Sequence, residues 1–392
     1  MEKRKTVCTL TLMYIMFIIY GISTGLIGTL LTEVLSVFGL DVARGGLFTL
    51  TENLGGLAGV LFSGILLCRI KKWNLIIIFI GGIGATLSCM FNVSSLPLFI
   101  VLMFLSGIAK KLLDVTGNAA INEMFPAGQA QFILLLHASF GCGNFLGPII
   151  AQKLQAAGLA WNRIHGIVGF AALAVFFILI LFVRFGKPPQ AGKDQKVNLN
   201  LGIVLKKGNV WLLMAIVFLF CGHQIGLSNW MPTFLKTDLG AGAATASLGV
   251  SLYWLGVIAG RIVNSLLSVK FRVRTLLWAE LAAAVAGYGL GLVTGSTALC
   301  IAGGVCAGLF AGAVLPFCIT LCYGECVGNE GTASMLIYVS LCAGQVIFPW
   351  LMGLVAEGIG LTQSMVLNVL LLALAMVIAF VVNGRLRKKE TA

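Results

Sequence analysis

Apolar runs of about twenty residues or more recur along nearly the whole chain, separated by short polar stretches. A helix rises about 1.5 Å per residue, so a run of this length crosses a hydrocarbon layer of about 30 Å. The pattern predicts twelve transmembrane helices, over 7–39, 43–69, 72–93, 96–125, 129–157, 163–184, 209–237, 241–268, 274–294, 297–323, 331–358 and 361–384. A membrane barrel would instead show segments of about ten alternating residues, so the fold class is an all-α membrane protein. Met1 to Lys5 followed by an apolar run resembles a signal peptide, but no small-residue cleavage site follows and eleven further spans do, so it reads as a first helix.

Composition agrees. With 59 % hydrophobic and 10 % charged residues, and a mean hydropathy of +1.04 over 392 residues, a soluble core would not absorb the apolar surface. The net charge of +13 would suit nucleic acid, but its placement points to a bilayer and no nucleic-acid partner is expected. Nineteen of the 26 basic residues fall on one side of the predicted spans: Lys3, Arg4 and Lys5; Arg69, Lys71 and Lys72; Arg184, Lys187, Lys193, Lys196, Lys206 and Lys207; Lys270, Arg272 and Arg274; and Arg385, Arg387, Lys388 and Lys389. Cytoplasmic loops carry the excess of Lys and Arg, which predicts a multi-pass protein of the cell membrane with both termini cytoplasmic, as an even number of spans requires. The eleven cysteines sit mostly inside apolar runs without metal-ligand spacing, and read as packing residues.

A shift of 201 residues superposes the halves. Gly21 and Gly25 fall on Gly222 and Gly226, Gly55 and Gly59 on Gly256 and Gly260, Gly107 on Gly308, and Gly143 with Pro148 on Gly344 with Pro349. One constant offset through four helix pairs predicts two parallel six-helix repeats. The expected division is an N-terminal bundle over 1–185, a basic, Pro/Gly-containing cytoplasmic linker over 186–207, and a C-terminal bundle over 208–392. Asp41 is positioned to cap the second helix. The glycine pairs suit close helix packing and equally the sliding of one helix on another.

Charges inside a span are expensive, and are the first place to look for function. Helix 4 carries Lys110, Lys111, Asp114 and Asn118, spaced so that all four can share one face. Asp114 is the candidate proton acceptor; the alternative is that it only neutralises a lysine. With both lysines charged, one acid would leave an excess positive charge that favours an anionic substrate. His137 in helix 5, with Asn144 two turns on, is a second candidate for proton coupling or a packing residue. His223, Gln224, Asn229 and Trp230 crowd helix 7, where Gly226 and Pro232 would let it bend. Amides that hydrogen-bond hydroxyls beside an indole that stacks on an apolar ring face make a sugar site. Tyr253 and Gln345 are further substrate-binding candidates, and Glu52 with Asn53 in helix 2 reads as an outer vestibule or a gate toward helix 11. Glu33, Glu123, Glu280, Glu325 and Glu357 lie near predicted helix ends, where water or headgroups would solvate them. Arg261 is expected to snorkel or to cap helix ends.

Twelve spans, two parallel repeats, a basic central linker and the loop Gly64 to Lys72 together resemble the major facilitator superfamily, with Cys68 where that loop usually carries an acid. Three stretches resemble its fucose-type sugar–proton symporters: Leu113 to Asn118 with an acid and an Asn four apart, Phe220 to Gln224 followed by Ser228, Asn229 and Trp230, and Gly260 with Arg261. The acid of that family's helix 1 is replaced by Gly28, so the resemblance implies a single-acid mechanism. Gly143 to Pro148 resembles half of the glycine motif of drug–proton antiporters.

The resulting expectation is a monomeric, proton-coupled symporter that takes up a monosaccharide or similar small polar solute by alternating access, with the small molecule, protons and the bilayer as its partners. Efflux of a drug-like compound and uptake of an organic or sugar acid stay open, and a non-transporting sensor or lipid scramblase is the contrasting class. No nucleophile–base pair, metal spacing or phosphate loop is legible, which argues against an enzyme and against any cofactor or metal.

Overall fold

The computed structural model describes residues 2–40, 46–125, 128–186 and 200–391. Its helices are α1 (Glu2–Phe38), α2 (Gly46–Arg69), α3 (Lys72–Cys89), α4 (Leu96–Met124), α5 (Gln129–Ala156), α6 (Trp161–Leu181), α7 (Leu201–Leu205), α8 (Gly208–Thr237), α9 (Ala243–Lys270), α10 (Val273–Val293), α11 (Thr297–Ala311), α12 (Val314–Glu325), α13 (Glu330–Ile359) and α14 (Leu361–Thr391). Among the described residues there are twelve helical stretches long and apolar enough to cross a membrane, and no strands. The cap expected from Asp41, and most of the linker, lie outside the described residues. The linker's described end forms α7, whose first turn is capped where Asn200 Oδ1 accepts from Ile203 N at 3.2 Å.

Contacts divide the chain into one unit of Met1–Ala127 with Ser139–Leu199 and another of Gly128–Ala138 with Asn200–Ala392. The same helix pairs recur in each. In the first unit α2 packs on α4, α3 on α6, and Gly21 of α1 on α5; in the second α9 packs on α11, α10 on α14, and α8 on α13.

The offset glycines occupy the crossings. A Cβ on Gly21 would stand 2.1 Å from the Phe140 carbonyl, and one on Gly344 would stand 2.1 Å from that of Phe218. On Gly107 it would meet the Glu52 carbonyl at 2.0 Å, and on Gly308 the Tyr253 carbonyl at 2.3 Å. Without a driving force from water, membrane helices gain most by bringing backbones together, and only glycine permits this approach. The match extends to a helix end: Gly39 after α1 and Gly240 after α8, also 201 residues apart, are both left-handed, with φ of 62° and 67°.

Span 10 departs from the single helix that its apolar run predicts. It breaks into α11 and α12 at Gly312–Ala313. Pro316 has no N–H to give the Gly312 carbonyl four residues back, so the ladder cannot continue there. Arg261 takes that carbonyl instead, with Nε at 3.0 Å, and its Nη1 donates to the His137 carbonyl at 2.8 Å within the same unit. At 3 % exposure, Arg261 caps α11 from inside the bundle and does not reach water.

One placement corrects the sequence reading. Glu280 is buried, and its Oε2 accepts from Asn264 Nδ2 at 2.9 Å. It lies on the face of α10 turned to α9, where a carboxyl must find a polar partner in the protein.

Candidate functional site

In the first unit the polar cluster follows from the glycine crossing. Gly107 seats the α4 backbone against Glu52, and Lys110, one turn further on, then reaches the Glu52 carboxylate, with Nζ 2.5 Å from Oε1. The same ammonium donates to the Ser23 carbonyl of α1 at 3.3 Å, so three helices converge on it. The side chains of Lys110 and Glu52 are 4 % and 12 % exposed, which leaves this charge pair largely without water. Lys111 points elsewhere: its Cγ lies 2.6 Å from where a Cβ on Gly56 would stand, so its stem fills the space that glycine leaves on α2. Asp114 and Asn118 are buried one turn apart, and Asn118 Nδ2 donates to both Asp114 Oδ1 at 3.1 Å and the Asp114 carbonyl at 2.8 Å. Asn53 and Asn144 are half-buried on α2 and α5.

Glu52 therefore engages α4 of its own bundle. The start of α3 is tied as well: Lys72 forms an ion pair with Glu123 at the end of α4. Glu33, at the other end of this bundle, accepts from Gln155 Nε2 at 2.8 Å and from Trp161 N at 3.1 Å.

The second unit holds a cluster without an ion pair. Gly226 lets α14 approach α8, and Asn368 of α14 exchanges hydrogen bonds with His223: its Nδ2 donates to the His223 carbonyl at 3.0 Å, and its carbonyl lies 3.3 Å from His223 Nδ1. His223 stands edge-on to Tyr253 and Tyr288, with ring centroids 6.4 and 5.9 Å away, and Gln224 hydrogen-bonds Tyr253. His223 Nε2, Gln224 Nε2, Tyr288 Oη and Asn368 Oδ1 are buried and have no hydrogen-bond partner among the described residues. Buried polar atoms are nearly always satisfied, so four together mark a place for water or a solute.

The remaining candidates are dispersed. Trp230 spends its indole N–H on the Pro349 carbonyl at 3.0 Å and packs over Gly353; Asn229 is exposed, and Gln345 is half-buried on α13. His137 is buried on α5, where its carbonyl receives Arg261. Sequence reasoning missed Tyr288 and Asn368. A single Asn inside the apolar run of span 12 is a signal for the second, whereas a tyrosine among the glycines of α10 carries none.

Two copies of a six-helix unit, with charged and polar side chains buried inside their spans, are the architecture of a membrane transporter. Residues 13–242 and 230–392 match the Major Facilitator Superfamily, and the chain belongs to that family, whose members are transporters and not enzymes. It is 27 % identical to a TsgA homolog of Edwardsiella ictaluri, over 42 % of each chain. It is 26 % identical to the multidrug efflux protein YfmO of Bacillus subtilis, over 76 % of this chain and 73 % of that one. The structure of FucP, the E. coli fucose:proton symporter, in the outward conformation superposes with a TM-score of 0.81 at 15 % identity, covering 96 % of this chain and 99 % of that one. At that identity the likeness is one of fold.

Proposed function

We propose that the protein is a proton-coupled symporter of the cytoplasmic membrane, with both termini cytoplasmic, that takes up a neutral monosaccharide or similar small polar solute by alternating access. The observation that carries this reading is the buried Lys110–Glu52 pair beside Asp114 and Asn118. Glu52 adds a second acid to the first bundle, so Glu52 and Asp114 balance Lys110 and Lys111 in formal charge. The excess positive charge that would attract an anionic substrate is gone. Asp114, whose Oδ1 accepts from the Asn118 amide, is the group whose protonation drives transport. Gln224, His223 and Tyr253, joined by Tyr288 and Asn368, offer the hydroxyl-binding groups in the second bundle.

Efflux of drug-like compounds is the second reading, favoured by the 26 % identity to YfmO. A thermal-shift screen of the purified chain against neutral monosaccharides, sugar acids and hydrophobic cations separates the two, because a ligand of the folded state raises its apparent stability. A neutral sugar is expected to raise Tm. Stabilisation by hydrophobic cations alone would replace uptake with efflux, and stabilisation by sugar acids alone would overturn the charge argument.

A further inference from the structure

A cavity of about 400 Å³ lies in the C-terminal unit at the end where α14 terminates. Its wall includes Arg272 and Arg274 at the start of α10, Thr320, Gly324 and Glu325 of α12, and Leu386 in the last turns of α14. This is the opposite end of α12 from the Gly312 break, and none of these residues belongs to the clusters described above.

Four features of the wall share one chemistry. First, α10 begins at Val273, the Thr275 and Leu276 amides return to the Arg272 carbonyl, and this first turn stands at the positive end of the helix dipole. Second, Arg272 and Arg274 both line the cavity, and planar guanidinium forks match the oxygens of a phosphoryl group. Third, Thr320 is 8 % exposed and its hydroxyl has no hydrogen-bond partner among the described residues, although it lines the cavity. A buried hydroxyl in that condition is open to an oxygen of a bound group. Fourth, the surroundings stay basic: Lys207 donates to the Glu325 carbonyl, and Arg385, beside Leu386, lies 3.4 Å from where a Cβ on Gly208 would stand. The Glu325 carboxylate supplies the one negative charge of the wall, and it already accepts from Asn209 Nδ2 at 3.2 Å.

We infer that this cavity is a phosphoryl-binding site, in which the start of α10, Arg272, Arg274 and the Thr320 hydroxyl receive a phosphate oxygen set. The phosphate is either the headgroup of an anionic lipid at the membrane boundary or a free inorganic ion. Basic pockets between transmembrane helices at a bilayer surface are suited to the first, and helix N-termini to both.

The test uses the purified full-length chain and two variants, Thr320→Val, which removes the hydroxyl with little change of volume, and the exposed Arg272→Gln. In detergent, inorganic phosphate is expected to raise the apparent Tm of the parent by about 2–4 °C over chloride of equal ionic strength, and to raise that of either variant by less than half as much. In nanodiscs the parent is compared in phosphatidylcholine with and without phosphatidylglycerol. If the anionic lipid raises Tm and abolishes the response to free phosphate, the site takes a lipid headgroup. If free phosphate still stabilises the chain in those discs, it takes the free ion. Either result supports the site. Equal Tm in phosphate and chloride together with no effect of phosphatidylglycerol would overturn it, and so would shifts of the same size in the parent and in both variants.

Discussion

The two repeats pack their helices alike and fill them differently. α2 on α4 and α9 on α11 meet at glycines 201 residues apart, with Gly107 and Gly308 each facing a backbone carbonyl. Three residues past those glycines, the first repeat carries Lys110 and the second Ala311. The lysine is paired with Glu52, whereas the position 201 residues after Glu52 is Tyr253, an aromatic bonded to Gln224. The crossing is thus a shared chassis, and the residues one turn along it decide whether the bundle houses ions or neutral hydrogen-bonding groups. This contrast supports placing proton chemistry in the first bundle and solute hydroxyls in the second.

The contrast breaks most visibly at Lys110. Lys110→Met leaves the Glu52 carboxylate buried without its ammonium, and removal of one partner of a buried pair costs about 3–5 kcal/mol. The double variant Lys110→Met/Glu52→Gln should recover most of that loss in denaturant unfolding. A double variant as unstable as the single one would mean that Lys110 is held by other contacts.

A smaller and matched effect is expected at the chassis. Gly107→Ala and Gly308→Ala each press a methyl group onto a facing carbonyl and should each cost about 1–3 kcal/mol, while Gly384→Ala, with open space around it, should cost nothing. Unequal losses at the two crossings would show that the repeats are not packed equivalently.

Much of this was legible before the fold was known. Twelve spans follow from hydropathy, because an apolar run of fixed length has few alternatives in a bilayer, and the duplication follows from glycines that no other residue can replace at a crossing. The break in span 10 was missed, because hydropathy runs through it unchanged: its cause is Pro316, which strips the Gly312 carbonyl of its partner, and the arginine inside span 8 that supplies one. The partner of Lys110 was not legible. Asp114 is four residues away and Glu52 is fifty-eight, and the choice between them depends on how α2 and α4 are rotated about a contact that periodicity does not encode. Glu280 was misplaced for the same reason, since closeness to a helix end says nothing about which neighbour covers it. Asn368 shows the opposite case, a polar residue visible in an apolar run whose partner, His223, lies 145 residues earlier.

Coupling of transport to protons through Asp114 is probed by the variant Asp114→Asn. The variant keeps the size of the side chain and loses its charge. In proteoliposomes loaded with the sugar that stabilises the parent chain, counterflow exchange is expected to persist while accumulation driven by a proton gradient falls to the level of protein-free vesicles. If gradient-driven accumulation survives at the parent rate alongside counterflow, Asp114 is a structural partner of Asn118 and the coupling group lies elsewhere.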